Sequence, residues 1–277
     1  MLRQTLAAYP LGAALLAGSC VPVGGPCGKH VVIVPGLADG GVDCSACGAG
    51  SALIDCYPTT VNSGPAIACD VEQYCPGTGR RPASLVEGPP RALSRSAGAC
   101  FAEGARLEAA SVLAFRVLAG ELEAHGAPAY LVRCCRRAAI EEIGHARMNA
   151  ALARRYGAVA ERPVYSDIPP VRTLEEIATE NAGEGCVRET FGAVMGLWES
   201  TQERDPVVAA ASSVITREEL GHAELGWTIA QWTSTQLPRS ARARVEEARS
   251  VAARSLADEA PATLREMATR FASAIEA

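Results

Sequence analysis

The sequence predicts an all-α protein. The expected architecture is a four-helix bundle of two antiparallel hairpins joined by a crossover. C-terminal helices follow it, and a small Cys-rich irregular region precedes it. Three observations predict this. Ala, Leu, Arg and Glu abound while aromatic residues make up only 5% of the chain, a mixture that favours helices over packed sheets. Glycine and proline punctuate the chain beyond residue 97 at intervals suited to long helices. One phrase is also written twice, as Glu141-Glu142-Ile143-Gly144-His145 and as Glu218-Glu219-Leu220-Gly221-His222, each copy within a helix-favouring stretch.

Residues 1–20 read as an export signal. A short start with Arg3 leads through an apolar run to Leu15-Leu16-Ala17-Gly18-Ser19-Cys20, too short for a comfortable membrane span. Small residues before a cysteine resemble a bacterial lipobox, although Ala17 stands where leucine is usual. Cys20 is then the expected lipid-bearing residue, with the protein held at a membrane in the periplasm or outer membrane. Ordinary secretion is the alternative. Residues 21–80 hold Cys27, Cys44, Cys47, Cys56, Cys69 and Cys75, a density that reads as a disulfide framework in an oxidising compartment. A metal knuckle on Cys44-x-x-Cys47 is the competing reading. Val31-Val32-Ile33-Val34 is the one strand of any strength expected there, the rest being turns and short extended pieces.

Residues 81–96, with Pro82, Pro89 and Pro90, form a linker to a bundle at 97–236. The first helix is expected from Gly104 to His125, with Gly126 as its C-terminal cap. The second opens with Pro128 in its first turn and runs to Tyr156, stopped by Gly157. A long connection carries Pro163, Pro169 and Pro170, and in it Thr173-x-x-Glu176 has the form of a capping box that starts a short helix. The third helix is expected from Gly185 to Glu203. Asp205-Pro206 opens the fourth, an acidic N-cap followed by proline at the first helical position. It runs to Thr235, and Leu237-Pro238 separates it from C-terminal helices in 237–277. Tight turns within each pair and a long link between pairs make two hairpins and a crossover.

The doubled phrase contains Glu-x-x-His, and residues three apart share a helix face. Glu142 with His145, and Glu219 with His222, therefore each offer a carboxylate and an imidazole to one point. The first and third helices supply Glu108 and Glu189. Glu108 and Glu142 flank the turn at Gly126 at nearly equal distances, and Glu189 and Glu219 do the same about Asp205, so each pair is level within about a turn of helix. A lone carboxylate on such apolar faces costs several kcal/mol. Four carboxylates and two neutral imidazoles around two divalent cations offset that cost, and the charges cancel. Oxygen and nitrogen donors suit iron or manganese, and also zinc. Glu141 and Glu218 point about 100° away from their neighbours and are expected to be solvated or to support the ligands. His30 and His125 are expected at the surface. Cys134, Cys135 and Cys186 invite three readings: a bridge from Cys186 to one of the adjacent pair, a thiol that feeds electrons to the site, or small buried hydrophobes.

With those residues in view, the stretch from Ala97 to Gln236 resembles the ferritin-like di-iron carboxylate superfamily, in a motif layout similar to rubrerythrin and bacterioferritin types. Glu-Ala-Ala-Ser-Val at Glu108 and Gly-Cys-Val-Arg-Glu-Thr at Glu189 are also similar to segments of ferritin-like lipoproteins of bacteria, in which a Cys-rich leader precedes the bundle. The resemblance implies Glu108 and Glu189 as terminal ligands, Glu142 and Glu219 as bridges, and His145 and His222 on one metal each. It implies an oxidoreductase of ferroxidase, peroxidase or oxygenase type, with O2 or peroxide as oxidant and a reductant or small-molecule substrate that the sequence does not specify. A non-enzymatic metal-sequestering or structural surface lipoprotein is the alternative. Two features depart from the family: rubrerythrin's knuckle with two Cys-x-x-Cys pairs is absent, and a compact ferritin chain has no such leader. Net charge is −5 with Lys and Arg scattered, so no nucleic-acid partner is expected. An oligomer is compatible with everything above.

Overall fold

The computed structural model describes residues 28–35, 44, 52–61, 64–73, 79–86, 97–167, 170–200, 205–260 and 262–276. The proposed export signal and Cys20 lie outside them. The chain is mostly helical. Among the described residues, no helix is long and apolar enough to cross a membrane.

The Cys-rich region is more regular than the sequence suggests. Strands β1 (Gly28–Pro35), β2 (Ala52–Val61) and β3 (Gly64–Gln73) form an antiparallel sheet in the order β1-β3-β2. The expected Val31–Val34 strand is therefore one of three. The run Tyr57-Pro58-Thr59-Thr60-Val61 conceals β2, because Pro58 argues against a strand. The sheet tolerates Pro58 because β2 is an edge strand in this order. A register shift falls between Leu53 and Asp55, and Val61 pairs with Gly64 across a two-residue loop. Cys44 and Cys56 form a disulfide, and Cys69 is also disulfide-bonded. A metal knuckle using Cys44 is thereby overturned, since that sulfur is already committed.

Helix α1 spans Ala97–Ala124 and α2 spans Ala129–Arg155. Gly126, at φ +72°, makes the turn between them, a backbone that favours glycine. Pro128 stands one residue earlier than expected, at the N-cap itself. Phe115, Leu118, Leu122, Leu131, Val132 and Cys135 form the core of this hairpin, and Leu225 and Ile229 join it from the fourth helix.

The second half differs from expectation at its start. Thr173 does cap a helix: its hydroxyl accepts from the Glu176 amide while the Glu176 carboxylate accepts from the Thr173 amide. This helix, α3 (Leu174–Asn181), does not stop before the next. It runs through a π-helical segment, Ala182–Arg188, into α4 (Glu189–Ser200). The separate short helix and a fresh start at Gly185 are thus corrected to one continuous rod. Gly185, read in sequence as a helix start, lies inside this rod, where the helix widens instead of beginning anew. The expected end at Glu203 lies outside the described residues. Helix α5 spans Pro206–Gln236, and the Asp205 carboxylate accepts from the amides of Val207 and Val208 as its cap.

Helices α6 (Arg239–Glu259) and α7 (Ala262–Glu276) form a final hairpin. Its Leu256, Phe271 and Ile275 pack on Val187, Phe191 and Met195 of the π segment and α4. The crossover between the halves is pinned by Arg172, which donates to both oxygens of buried Glu121 on α1 and to Glu180 on α3. Residues 79–86 lie against the same link. Val86 donates its amide to the Val164 carbonyl, and Ser166 donates to the Ser84 carbonyl. His125 is exposed, with its ring against the Arg172 carbonyl, as a surface residue should be. The His30 side chain lies outside what is described.

Candidate metal centre

Six polar donors from four helical segments are buried in the interior. Glu108 comes from α1, Glu142 and His145 from α2, Glu189 from the first position of α4, and Glu219 and His222 from α5. All six are at most 3% exposed. His145 Nδ1 lies 3.2 Å from Glu219 Oε1, 3.4 Å from Glu142 Oε2 and 3.9 Å from Glu108 Oε2. His222 Nδ1 lies 3.2 Å from Glu142 Oε1 and 3.7 Å from Glu219 Oε1. Glu142 thus turns one oxygen to each histidine, and Glu219 Oε1 stands between the two rings. Glu108, Glu142, His145 and Glu219 bring one donor atom each within 4.8 Å of one another.

These atoms are close but poorly aimed for hydrogen bonds. Glu142 Oε2, His145 Nδ1, both oxygens of Glu189, Glu219 Oε1 and His222 Nδ1 are buried without a hydrogen-bond partner. Buried polar atoms in a native interior are nearly always satisfied, and an uncompensated buried charge is strongly destabilising. A cluster of orphaned oxygens and imidazole nitrogens facing a common point is what cation ligands look like without the cation. The donor set therefore fits a metal.

The electrostatics show the same strain. Burial drives the Glu108 carboxyl well above its usual range, with Glu142 and Glu219 adding to the effect. Burial also lifts Glu189 to about 8. Burial alone would lower the histidines, yet the carboxylates around them outweigh it. Glu142 and Glu219 bring His145 up to about 11, and Glu141, Glu142 and Glu219 raise His222 as well. Burial opposes ionisation of Glu142, but its contacts with the two histidines hold it below the ordinary carboxylate range. Protons thus occupy the role that cations would fill.

The first Glu of each doubled phrase serves the other half of the molecule. His145 Nε2 pairs with Glu218 Oε2 at 2.9 Å, and His222 Nε2 pairs with Glu141 Oε2 at 3.0 Å. Each carboxylate accepts from its histidine's Nε2–H and turns Nδ1 inward, so that Nδ1 would be free to ligate once a metal displaced its proton. Of the two expected roles for Glu141 and Glu218, solvated or supporting the ligands, the supporting one is what the structure places there, because the 100° offset carries each side chain across to the facing helix. Arg137 donates to Glu141 and lies near the surface.

Four residues escaped the sequence reading. Ser111 donates to Glu142 Oε1 at 2.9 Å, and Asn149 donates to Glu108 Oε1 at 3.3 Å. Both could have been found, since Ser111 follows Glu108 by three positions and Asn149 follows His145 by four, each on the ligand face. Asn181 and Arg80, both buried, carried no such signal. Cys134, Cys135 and Cys186 are free thiols, so the expected bridge is not formed. Cys135 and Cys186 are buried, and burial pushes both thiols up to about 12. They stand as small apolar packing residues, inert as thiolates near neutral pH.

No family model, curated protein or solved structure matches this chain. The site therefore rests on its own geometry: in a mostly helical chain, a buried group of Glu108, Glu142, His145 and Glu219 could hold a metal ion, an arrangement compatible with a ferritin-like fold.

Proposed function

We propose that this is an exported ferritin-like protein whose bundle binds a dinuclear iron or manganese centre and uses it to oxidise Fe(II) or a small substrate with O2 or peroxide. The observation that supports the reading is the buried cluster of carboxylate oxygens and imidazole nitrogens contributed by α1, α2 and α5, with each histidine aimed by a carboxylate of the opposite half. Glu108, Glu142, His145 and Glu219 would hold one ion. Glu189 and His222 would complete a second, with Glu142 and Glu219 shared. Bound iron would supply paired one-electron chemistry, and the protein's own part is to desolvate the site and fix the imidazoles. The disulfide-bonded sheet region is compatible with export, and a lipid anchor at Cys20 is part of the same proposal.

Burial favours a second reading. All six donors are at most 3% exposed, which suits sequestration of iron, manganese or zinc as well as turnover. Metal analysis of natively expressed protein, with oxygen consumption in the presence of Fe(II), separates the two. Iron or manganese at two ions per chain with oxygen uptake supports the oxidase reading. Bound metal without uptake leaves sequestration, and a chain that binds no metal would sink both.

A further inference from the structure

Arg80 has the largest of the side chains buried to under 2% exposure, and it does not belong to the helices. It enters from the segment that follows the Cys-rich sheet. Its amide donates to Ser111 Oγ, which in turn donates to Glu142 Oε1. Both terminal guanidinium nitrogens donate to Asn181 Oδ1, at 3.2 and 3.1 Å, while Nε has no hydrogen-bond partner. Asn181 is neutral, so this hydrogen bond leaves the guanidinium charge in place.

Several contacts place that charge on one side of the centre. The guanidinium lies 5.8 Å from the Phe115 ring centroid, and Phe115 packs edge-on against His222 at 5.1 Å. A Cβ on Gly185, four residues before Glu189, would fall 2.9 Å from Arg80 Nη1. On the Glu108 side the neighbour is instead Gly79, at φ +89°, where a Cβ would fall 2.9 Å from Glu108 Oε2. The donors within 4.8 Å of one another are those of the Glu108 and His145 side.

Resting on the dinuclear reading, we propose that the two ion positions are unequal: the position of Glu108 and His145 fills first, and Arg80 weakens the position of Glu189 and His222. The physical reason is charge. Four ligand carboxylates cancel two dications, and Glu218 and Glu141 support the two histidines alike, so the buried guanidinium is the charge that sets the second position apart and repels its ion. A site with a tight ion and a looser one can keep the first while the second is loaded and released.

Anaerobic titration of the metal-free full chain with Co(II), and again with Mn(II), tests this. The expected result is two steps, the second at least about tenfold weaker. Arg80→Gln, which keeps a donor for Asn181 and removes the charge, should narrow the gap, while Arg80→Lys should preserve it. Glu189→Gln should abolish the second step and leave the first, and Glu108→Gln should weaken the first. The two Glu variants read the order of filling even if an Arg80 variant fails to fold. Two equal steps, or a gap unchanged in folded Arg80→Gln, would overturn the inference while leaving the dinuclear reading intact. No binding of either ion would overturn that reading itself.

Discussion

The two hairpins bring the same chemistry to the centre by different means. The α1–α2 half is regular: two long helices, a tight glycine turn, and Glu108 and Glu142 set level by simple counting. The second half needs a widened helix. The π segment Ala182–Arg188 precedes Glu189, whose amide reaches back five residues to the Glu184 carbonyl. Gly185 and Gly226 let the π segment and α5 come together so closely that a Cβ on Gly226 would fall 2.7 Å from the Gly185 carbonyl carbon. Arg80 clamps the same region through Asn181, and the α6–α7 hairpin covers its outer face. π segments tend to occur at functional sites. The comparison shows the difference: both halves carry the same phrase, while the helix beside one copy is widened and meets the buried Arg80 through Asn181.

The largest test of that comparison removes what the halves share. Glu142→Ala and Glu219→Ala should each lose at least one bound ion per chain, measured by elemental analysis after dialysis. Because both carboxylates reach both histidines, the two variants should behave alike. A variant that retained full occupancy would contradict the shared roles. A sharper test uses the crossed pairs. Glu141→Ala should weaken the ion on His222 about 10–100-fold, and Glu218→Ala the ion on His145 by a similar factor. If each substitution instead affected the histidine of its own helix, the crossed geometry would be refuted.

The glycines probe the asymmetry through stability. Gly226→Ala must push two backbones apart and should destabilise by about 1–3 kcal/mol in denaturant unfolding. Gly144 and Gly221, the glycines of the doubled phrase, face open space. Alanine there should be neutral or stabilising by up to about 1 kcal/mol. Loss of stability at Gly144 would show a constraint that the geometry lacks.

Dependence on pH is the gentlest probe. In the metal-free protein His145 is raised from 6.5 to about 11, and Glu189 from 4.5 to about 8. A raised group stabilises fully below its unfolded value and loses that contribution as pH climbs through its folded value. The melting temperature of the metal-free chain should therefore fall as pH rises from 6.5 past 8. With Co(II) present the trend should reverse, because metal binding displaces those protons. A metal-free melting temperature that rises over this window would contradict the charge arrangement.

How much of this was legible depended on whether the signal was local. The Glu-x-x-His pairs, the Gly126 turn, the Thr173 capping box and the Asp205-Pro206 start each lie within a few residues, and each is found in place. The placement of Glu108 beside Glu142 needed only helical rise and hairpin symmetry, whereas that of Glu189 also depends on a π segment the sequence did not reveal. Arg80 and Asn181 were invisible because their contact spans 101 positions and neither fits a periodic pattern. The π segment was missed because Gly185, taken in sequence as a helix start, instead serves close packing against Asn181 and Gly226. The strands failed for a similar reason. Pro58 argued against β2, and the edge position that tolerates it is a property of the assembled sheet.

The crossed pairing of Glu141 with His222 and Glu218 with His145 has a consequence for ancestry. It maps the His145 position onto the His222 position, as a two-fold axis passing between them would. A single ancestral hairpin carrying one inward Glu and one Glu-Glu-x-Gly-His could have built the entire centre by pairing with its own copy. Each copy would have supplied its own inward Glu and Glu-x-x-His, and would have taken its supporting carboxylate from the other. Fusion of two such genes would then have freed each half to diverge, and the widened helix, found in one half only, is where the two halves now differ most.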